Sequence, residues 1–134
     1  MSTSPPRTAA VLAIGDEVLR GEVVNGNAAH LSDRLFELGV SPREHVVVSD
    51  EPGDIRGALR RLASLFDVVV ATGGLGPTED DRTVDVVCDL LGVSPVEHAP
   101  SRARLEAAFA RHKLPLSPNG LRQVRVPTGA EPLD

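Results

Sequence analysis

Residues 67–83 read DVVVATGGLGPTEDDRT, and the order of residue types within them decides the fold. The run Val68, Val69, Val70 and Ala71 is apolar and β-branched, as suits a strand covered on both faces. It breaks into Gly73, Gly74 and Gly76, where the backbone can take positive φ and leave room for a ligand. Pro77 and Thr78 follow, then Glu79, Asp80 and Asp81, and a helical pattern begins. A glycine loop between strand end and helix start offers N–H groups to an anion. Three carboxylates beside it would repel bare phosphate, so the pattern implies a divalent cation such as Mg²⁺ between acid and phosphate. The competing explanation is structural: strand–glycine–helix turns are common, and acids in a first helical turn complement the macrodipole.

Working outward, residues 8–14 (TAAVLAI) form a short apolar strand ending at Gly15, expected at the ligand-facing edge of a parallel sheet. Residues 15–27 lack a helical period and read as an extended, looping passage. Asn27 reads as an N-cap, because Ala28, Leu31, Leu35 and Leu38 follow at helical spacing until Gly39. Val46, Val47 and Val48 mark a second strand. Asp50, Glu51 and Pro52 then signal a helix start, with Ile55, Leu59, Leu62, Ala63 and Phe66 as its buried stripe. Arg56, Arg60 and Arg61 fall on its solvated face. Thr78 and Asp81 have capping-box spacing, and Val84, Val87, Cys88 and Leu91 make the next apolar face. Residues 93–100 read as an extended link and 101–112 as a fourth helix. The Pro- and Gly-rich remainder returns toward the sheet.

The β-α-β-α-β-α order implies a three-layer α/β/α fold with a mostly parallel central sheet and right-handed crossovers. A chain of 134 residues is expected to be one domain, with residues 1–7 as a disordered tail. A formal charge of −5 argues against a non-specific nucleic-acid or membrane binder, and aromatics at 2% argue against base-stacking platforms. No stretch approaches membrane-spanning length and the first residues lack a signal-peptide core, so the cytoplasm is the default expectation. Cys88 stands alone, which leaves no intrachain disulfide or thiolate cluster and fits a small buried hydrophobe. His30, His45, His98 and His112 lack metal-ligand spacing, and no Ser–His–Asp or Cys–His arrangement emerges.

Three blocks carry a family resemblance. IGDEVLRGEVVNGNAAHL (14–31) is similar to a Gly-[Asp/Thr]-Glu-Leu-Leu-x-Gly opening; TGGLGPTEDDRT (72–83) is the most specific; SPNGLRQ (117–123) is similar to Pro-x-Asn-x-x-Lys-Gln, with Arg122 in the Lys position. Together they resemble the MoaB/Mog molybdopterin-binding fold, in the variant at the N-terminus of CinA proteins. Gly26 stands where Thr is usual, and Asp80 replaces the Arg of Mog and MoaB enzymes, while Asp81 matches their functional Asp. The loss of that positive charge speaks against molybdopterin adenylylation and for a metal-bridged pyrophosphate.

The resemblance implies ADP-ribose pyrophosphatase chemistry, in which Mg²⁺-assisted water attack releases AMP and ribose 5-phosphate. It would assign Gly73, Gly74, Gly76 and Thr78 to phosphate oxygens, with Asp16, Glu17, Asn27, Asn119 and Arg122 as further ligand contacts. Asp81, Asp80 and Asp50 would be the catalytic acids, and Asp80 and Asp81 the metal ligands. The alternative is a non-catalytic module that holds molybdopterin or a nucleotide, linked to molybdenum cofactor biosynthesis; homo-oligomers are common in the family. The family continues into a Gly-Thr-Ala-Pro-Gly segment, absent here, and full-length CinA into an amidohydrolase domain whose activity is not carried over. Each assignment has a structural competitor: Asn27 and Asp50 as helix caps, Asp16 and Glu17 as exposed loop acids.

Overall fold

Ala9, Ala10, Val11, Leu12, Ala13 and Ile14 are all buried, and they make up most of the first strand, β1 (Thr8–Ile14). The computed structural model describes residues 4–5 and 7–133, so the expected disordered segment at 1–7 lies partly outside the described residues. An apolar run this continuous has no solvent face to offer, which is why it sits in the centre of its sheet. On one side it pairs in parallel with β2 (Ser41–Val48), and on the other with β3 (Val68–Thr72), in the order β2-β1-β3. The carboxylate of Asp67 anchors the start of this pairing by accepting the Thr8 N–H at 2.7 Å and the Thr8 hydroxyl at 3.0 Å.

Residues up to Gly73 form one compact unit. Within it, α2 (Gly26–Glu37) links β1 to β2, and α3 (Pro52–Leu65) links β2 to β3. The two crossovers run in opposite directions across the sheet, so the right-handed rule sets these helices on opposite faces. The chain is therefore α/β, with a parallel three-stranded sheet flanked by helices, as the alternating pattern implies. The buried stripe of α3 is Ile55, Ala58 and Leu62; Leu59 and Phe66 are half-buried, and Ala63 faces solvent. The difference is one helical position, because the small Ala58 sits closest to the sheet where the pattern of large residues points to Leu59.

Two expectations about 15–27 are corrected. Asp16–Leu19 is a short helix, α1, rather than extended chain. The N-cap of α2 is Asn25, not Asn27: its side chain accepts the Ala28 N–H at 3.3 Å, the usual reach from an N-cap to the third helical residue. Asn27 lies inside the first turn and is released for another partner. Leu38, placed on the inner face of this helix, is instead its exposed C-cap.

Residues 74–133 make up the second unit. Here α4 (Thr83–Leu91) buries Thr83, Val86 and Cys88, while Leu91 is exposed. Burial also pushes the Cys88 thiol up from its ordinary value, which suits an inert packing residue. The segment read as an extended link contains β4 (Pro95–Glu97), and α5 (Ala99–Arg111) follows. The last part of the chain, expected to turn back to the parallel sheet, instead contributes β5 (Arg125–Pro127), which pairs antiparallel with β4 in a separate two-stranded ribbon.

Candidate functional site

Strand order 2-1-3 means that the chain leaves β1 toward one side and reaches β3 on the other. Ligands in open α/β sheets sit at such a reversal, outside the carboxyl ends of the strands. Those ends here are Ile14 and Thr72, followed by Gly15 and Gly73. A cavity of about 290 Å³ opens at this point, lined by Ala13, Ile14, Thr72 and Gly73 from the strands and their ends. Glu17, Val18, Val23, Val24 and residues 25–27 complete its wall.

Gly73 is required by contact, not only by conformation. Its φ is +96°, and a Cβ there would stand 2.0 Å from the carbonyl oxygen of Ile14. The backbone at Gly73 therefore lies directly against the end of β1, with no room for a side chain. Beside it the Asn27 amide donates to the Thr72 hydroxyl at 3.2 Å. That bond couples the first turn of α2 to the end of β3. The sequence alone singles out neither Thr72 nor Asn25 as part of a site; the signal for Thr72 is its place as the last strand residue before Gly73.

Asp16 and Asp50 meet at the ends of β1 and β2. The Asp16 carboxylate accepts the Asp50 N–H at 3.1 Å, and the Asp50 carboxylate accepts the Asp16 N–H at 3.4 Å. Asp16 also pairs with Arg20 at 3.1 Å. The reading of Asp50 as an N-cap is not what the geometry gives, since Glu51 occupies that position on α3 and makes no side-chain cap bond. Asp50 instead ties two strand ends together.

In the second unit the loop is stitched by its own acid. The Asp81 carboxylate accepts the Thr78 N–H at 2.9 Å and the Thr78 hydroxyl at 2.8 Å. This is not a helix-capping box, because α4 begins only at Thr83, with Arg82 as N-cap. A Cβ on Gly76 would come within 2.7 Å of the same carboxylate, so the loop folds tightly over Asp81. Burial pushes the Asp81 carboxyl up, but hydrogen bonds from the Thr78 hydroxyl, the Thr78 N–H and the Gly76 N–H, with Arg122 nearby, outweigh it. The net effect holds the group below its ordinary value. Arg122 donates to the Asp81 carbonyl at 2.9 Å and reaches Asp85 at 3.4 Å, which Arg125 also meets at 3.3 Å. Arg122 is thus tied to the loop's backbone, and Asp85 and Arg125 are partners that the sequence does not reveal. Asn119 is exposed and precedes the 3-10 turn at Gly120–Val124; Thr78, Glu79 and Asp80 are also exposed.

Among the described residues no three His, Cys, Asp or Glu side chains gather to hold a metal ion. Asp81 commits its carboxylate to Thr78, which leaves Asp80 as the exposed acid of the expected pair. No helix of the described residues is long and apolar enough to cross a membrane.

The chain has recognisable relatives. A family model described as "Probable molybdopterin binding domain" matches residues 10–133. A CinA-like protein of Anaeromyxobacter sp. (strain Fw109-5) is 44% identical over 121 residues, 90% of this chain and 30% of the relative. The chain thus spans about a third of the length of the CinA-like relatives it matches. The crystal structure of the protein CinA from Thermoplasma acidophilum, described as of unknown function, superposes with a TM-score of 0.84 at 31% identity. The match covers 96% of this chain and 75% of that one. The molybdopterin biosynthesis enzyme MoaB from Thermus thermophilus superposes with a TM-score of 0.54 at 28% identity, covering 63% and 54%.

Proposed function

Because the chain belongs to the molybdopterin-binding-domain family, in the form found in CinA-like proteins, we propose that it holds a phosphorylated heteroaromatic compound of the pterin or nucleotide class. The observation that carries this reading is the cavity at the ends of β1 and β3, together with the close approach of Gly73 to Ile14. A pocket of this size is at the small end of ligand sites and would take a ring system with part of its sugar or side chain. In the second unit, taken by itself, the glycine loop would receive phosphate oxygens on the backbone N–H groups of Gly74 and Gly76 and on Thr78. Asn27 and Thr72 offer an amide and a hydroxyl to the ligand's polar edge. Asn119 and Arg122 belong to the same second unit and are further phosphate contacts of that loop in this reading. Arg122 acts first by holding the loop through the Asp81 carbonyl.

A second reading is hydrolysis of a pyrophosphate such as ADP-ribose to AMP and ribose 5-phosphate. It is favoured by Asp80, an exposed carboxylate at the end of the glycine loop, available to orient a water. Mg²⁺, if it accompanies the phosphates, would meet Asp80 and supply charge neutralisation there. Asp81 serves this chemistry as a positioning group, since its carboxylate already holds the Thr78 N–H.

The two readings separate in one experiment: calorimetric titration with ADP-ribose, with Mg²⁺ and with EDTA, followed by an assay for AMP. Saturable binding without AMP supports the holding module. AMP release that requires Mg²⁺ supports the hydrolase. Absence of binding to both ADP-ribose and a pterin phosphate contradicts the proposal.

A further inference from the structure

We infer that the groove between α3 and β2 is the contact face of a two-fold symmetric dimer of this chain. A second copy lays its own α3 antiparallel across the groove, so that Asp54 of each copy meets Arg61 of the other. The groove lies wholly within the first unit and shares no lining residue with the cavity at the ends of β1 and β3.

The groove holds about 480 Å³ and is lined by the half-buried Val46, Val47 and Val48 of β2 and by Gly57 and Ala58 of α3. Among the described residues β2 pairs with β1 alone, so it is an edge strand and α3 has no further strand to cover on that side. An apolar trough along a sheet edge is a seat for another packed element. Its middle is open: a Cβ on Gly57 would meet nothing within 4 Å, and a second helix can come close to the backbone there.

The charges along the groove say what covers it. Asp54, Ala58, Arg61 and Leu65 recur three or four residues apart and so share one face of α3. Asp54 stands in the first turn of the helix, just after the carboxyl end of β2, while Arg61 lies back along the strand and pairs with Glu44 at 3.2 Å. Beyond Asp54 is Leu19, the last residue of α1, 53% exposed; beyond Arg61 is Leu65, the last residue of α3, 59% exposed. The order along the groove is therefore apolar, acid, glycine, base, apolar. A two-fold axis between Gly57 and Ala58 exchanges the two ends, which sets Asp54 against the partner's Arg61 and Leu19 against the partner's Leu65. Such self-complementarity is what an isologous interface requires. Neither charge is used up within the chain. Asp54 accepts the Ser49 hydroxyl at 2.6 Å and keeps further lone pairs, and Arg61 keeps N–H donors beyond those turned to Glu44. Each copy carries a formal charge of −5, so arbitrary faces repel and a face with matched opposite charges is favoured.

The test is analytical ultracentrifugation of the whole chain as a concentration series. The wild type is expected to sediment as a dimer. Asp54→Arg sets like charges against each other at both ends of the groove, and so does Arg61→Asp, so each variant is expected to raise the dimer Kd about tenfold or more. An equimolar mixture of the two variants restores opposite charges at both ends and is expected to sediment as a heterodimer with near wild-type affinity. Asp54 and Arg61 are both exposed, and unchanged circular dichroism of the single variants checks that the fold is kept. The doubly exchanged Asp54→Arg/Arg61→Asp chain keeps both pairs and is expected to dimerise as the wild type does, which separates loss of charge matching from misfolding. A wild type that stays monomeric at every concentration would overturn the proposal and leave the groove to a different protein. An oligomer that both single variants retain, or single variants that neither mixing nor double exchange brings back to a dimer, would also overturn it.

Discussion

Gly73→Ala is expected to cost roughly 2–6 kcal/mol of folding stability, the sum of a strained positive-φ backbone at about 1–3 and overpacking at about 1–3. The methyl group would stand 2.0 Å from the Ile14 carbonyl oxygen, and Ile14 belongs to the buried central strand, which cannot give way cheaply. Relief requires β1 and β3 to part at their carboxyl ends, the place where the cavity opens. Ligand binding is therefore lost together with stability. Gly57→Ala supplies the contrast: Gly57 lies in α3 and a Cβ there meets nothing within 4 Å. That substitution should be neutral or stabilising by up to about 1 kcal/mol. Urea denaturation of the two variants measures the difference. A Gly73→Ala protein within about 1 kcal/mol of the wild type, an ordinary single-substitution effect, would show that the loop does not need its close approach.

The second large effect is expected at Asp81. Asp81→Ala removes the acceptor of both Thr78 hydrogen bonds and should release residues 76–81, with ligand affinity falling about a hundredfold or more if each of the two charge-assisted bonds contributes about 1.5–3 kcal/mol to loop order. The parallel sheet of the first unit should be untouched, so the loss is one of binding rather than of fold. Asp81→Asn keeps one acceptor oxygen and should fall between Asp81→Ala and the wild type. The same logic gives a pH dependence. The folded-state carboxyl lies below its ordinary value, so its contribution to loop order is fully present above the unfolded carboxylate value. It is lost as pH falls through the folded one. Limited proteolysis within 76–81 should accelerate in acid for the wild type and be insensitive to that acid window in Asp81→Ala. Equal protection of both proteins at neutral pH would contradict the clamp.

The parts of this architecture that can be read from the sequence are those where residue type and length act together. The run from Thr8 to Ile14 is too short and too apolar to be anything but a covered strand, and it is the central one. Val68 to Ala71, followed closely by two glycines, places a strand end and a tight turn, which is where Gly73 meets Ile14. What escapes is decided by partners far away or by windows too short for a period. α1 has four residues, less than the span over which periodicity exists. In α4 most positions between Val84 and Leu91 are apolar, so the pattern cannot tell Val86, which is buried, from Leu91, which is exposed. Asn25 and Asn27 both precede the same apolar run; only the Ala28 N–H distinguishes the cap from the residue that reaches Thr72. β4 and β5 are three residues each, and Pro95 finds Pro127 far along the chain. Asp85 reads as an ordinary first-turn acid until Arg122 and Arg125 come to meet it.

At the site, the glycines, Glu17 and Asn27 are legible as residue types, but their roles depend on geometry. Asp81 has the spacing of a cap and the geometry of a loop clamp. Asp16 and Asp50 look like independent acids in the sequence and are each other's backbone acceptors in the fold.

The most direct test of where the ligand sits is an amide-detected NMR titration of the isotope-labelled chain with GMP. Shifts are expected to concentrate on the amides of 13–18, 23–27 and 72–76, the cavity wall and the start of the glycine loop. Shifts that leave Gly73, Asn27 and Glu17 unmoved while others respond would contradict the proposed site, because the ligand would then be held somewhere other than the ends of β1 and β3.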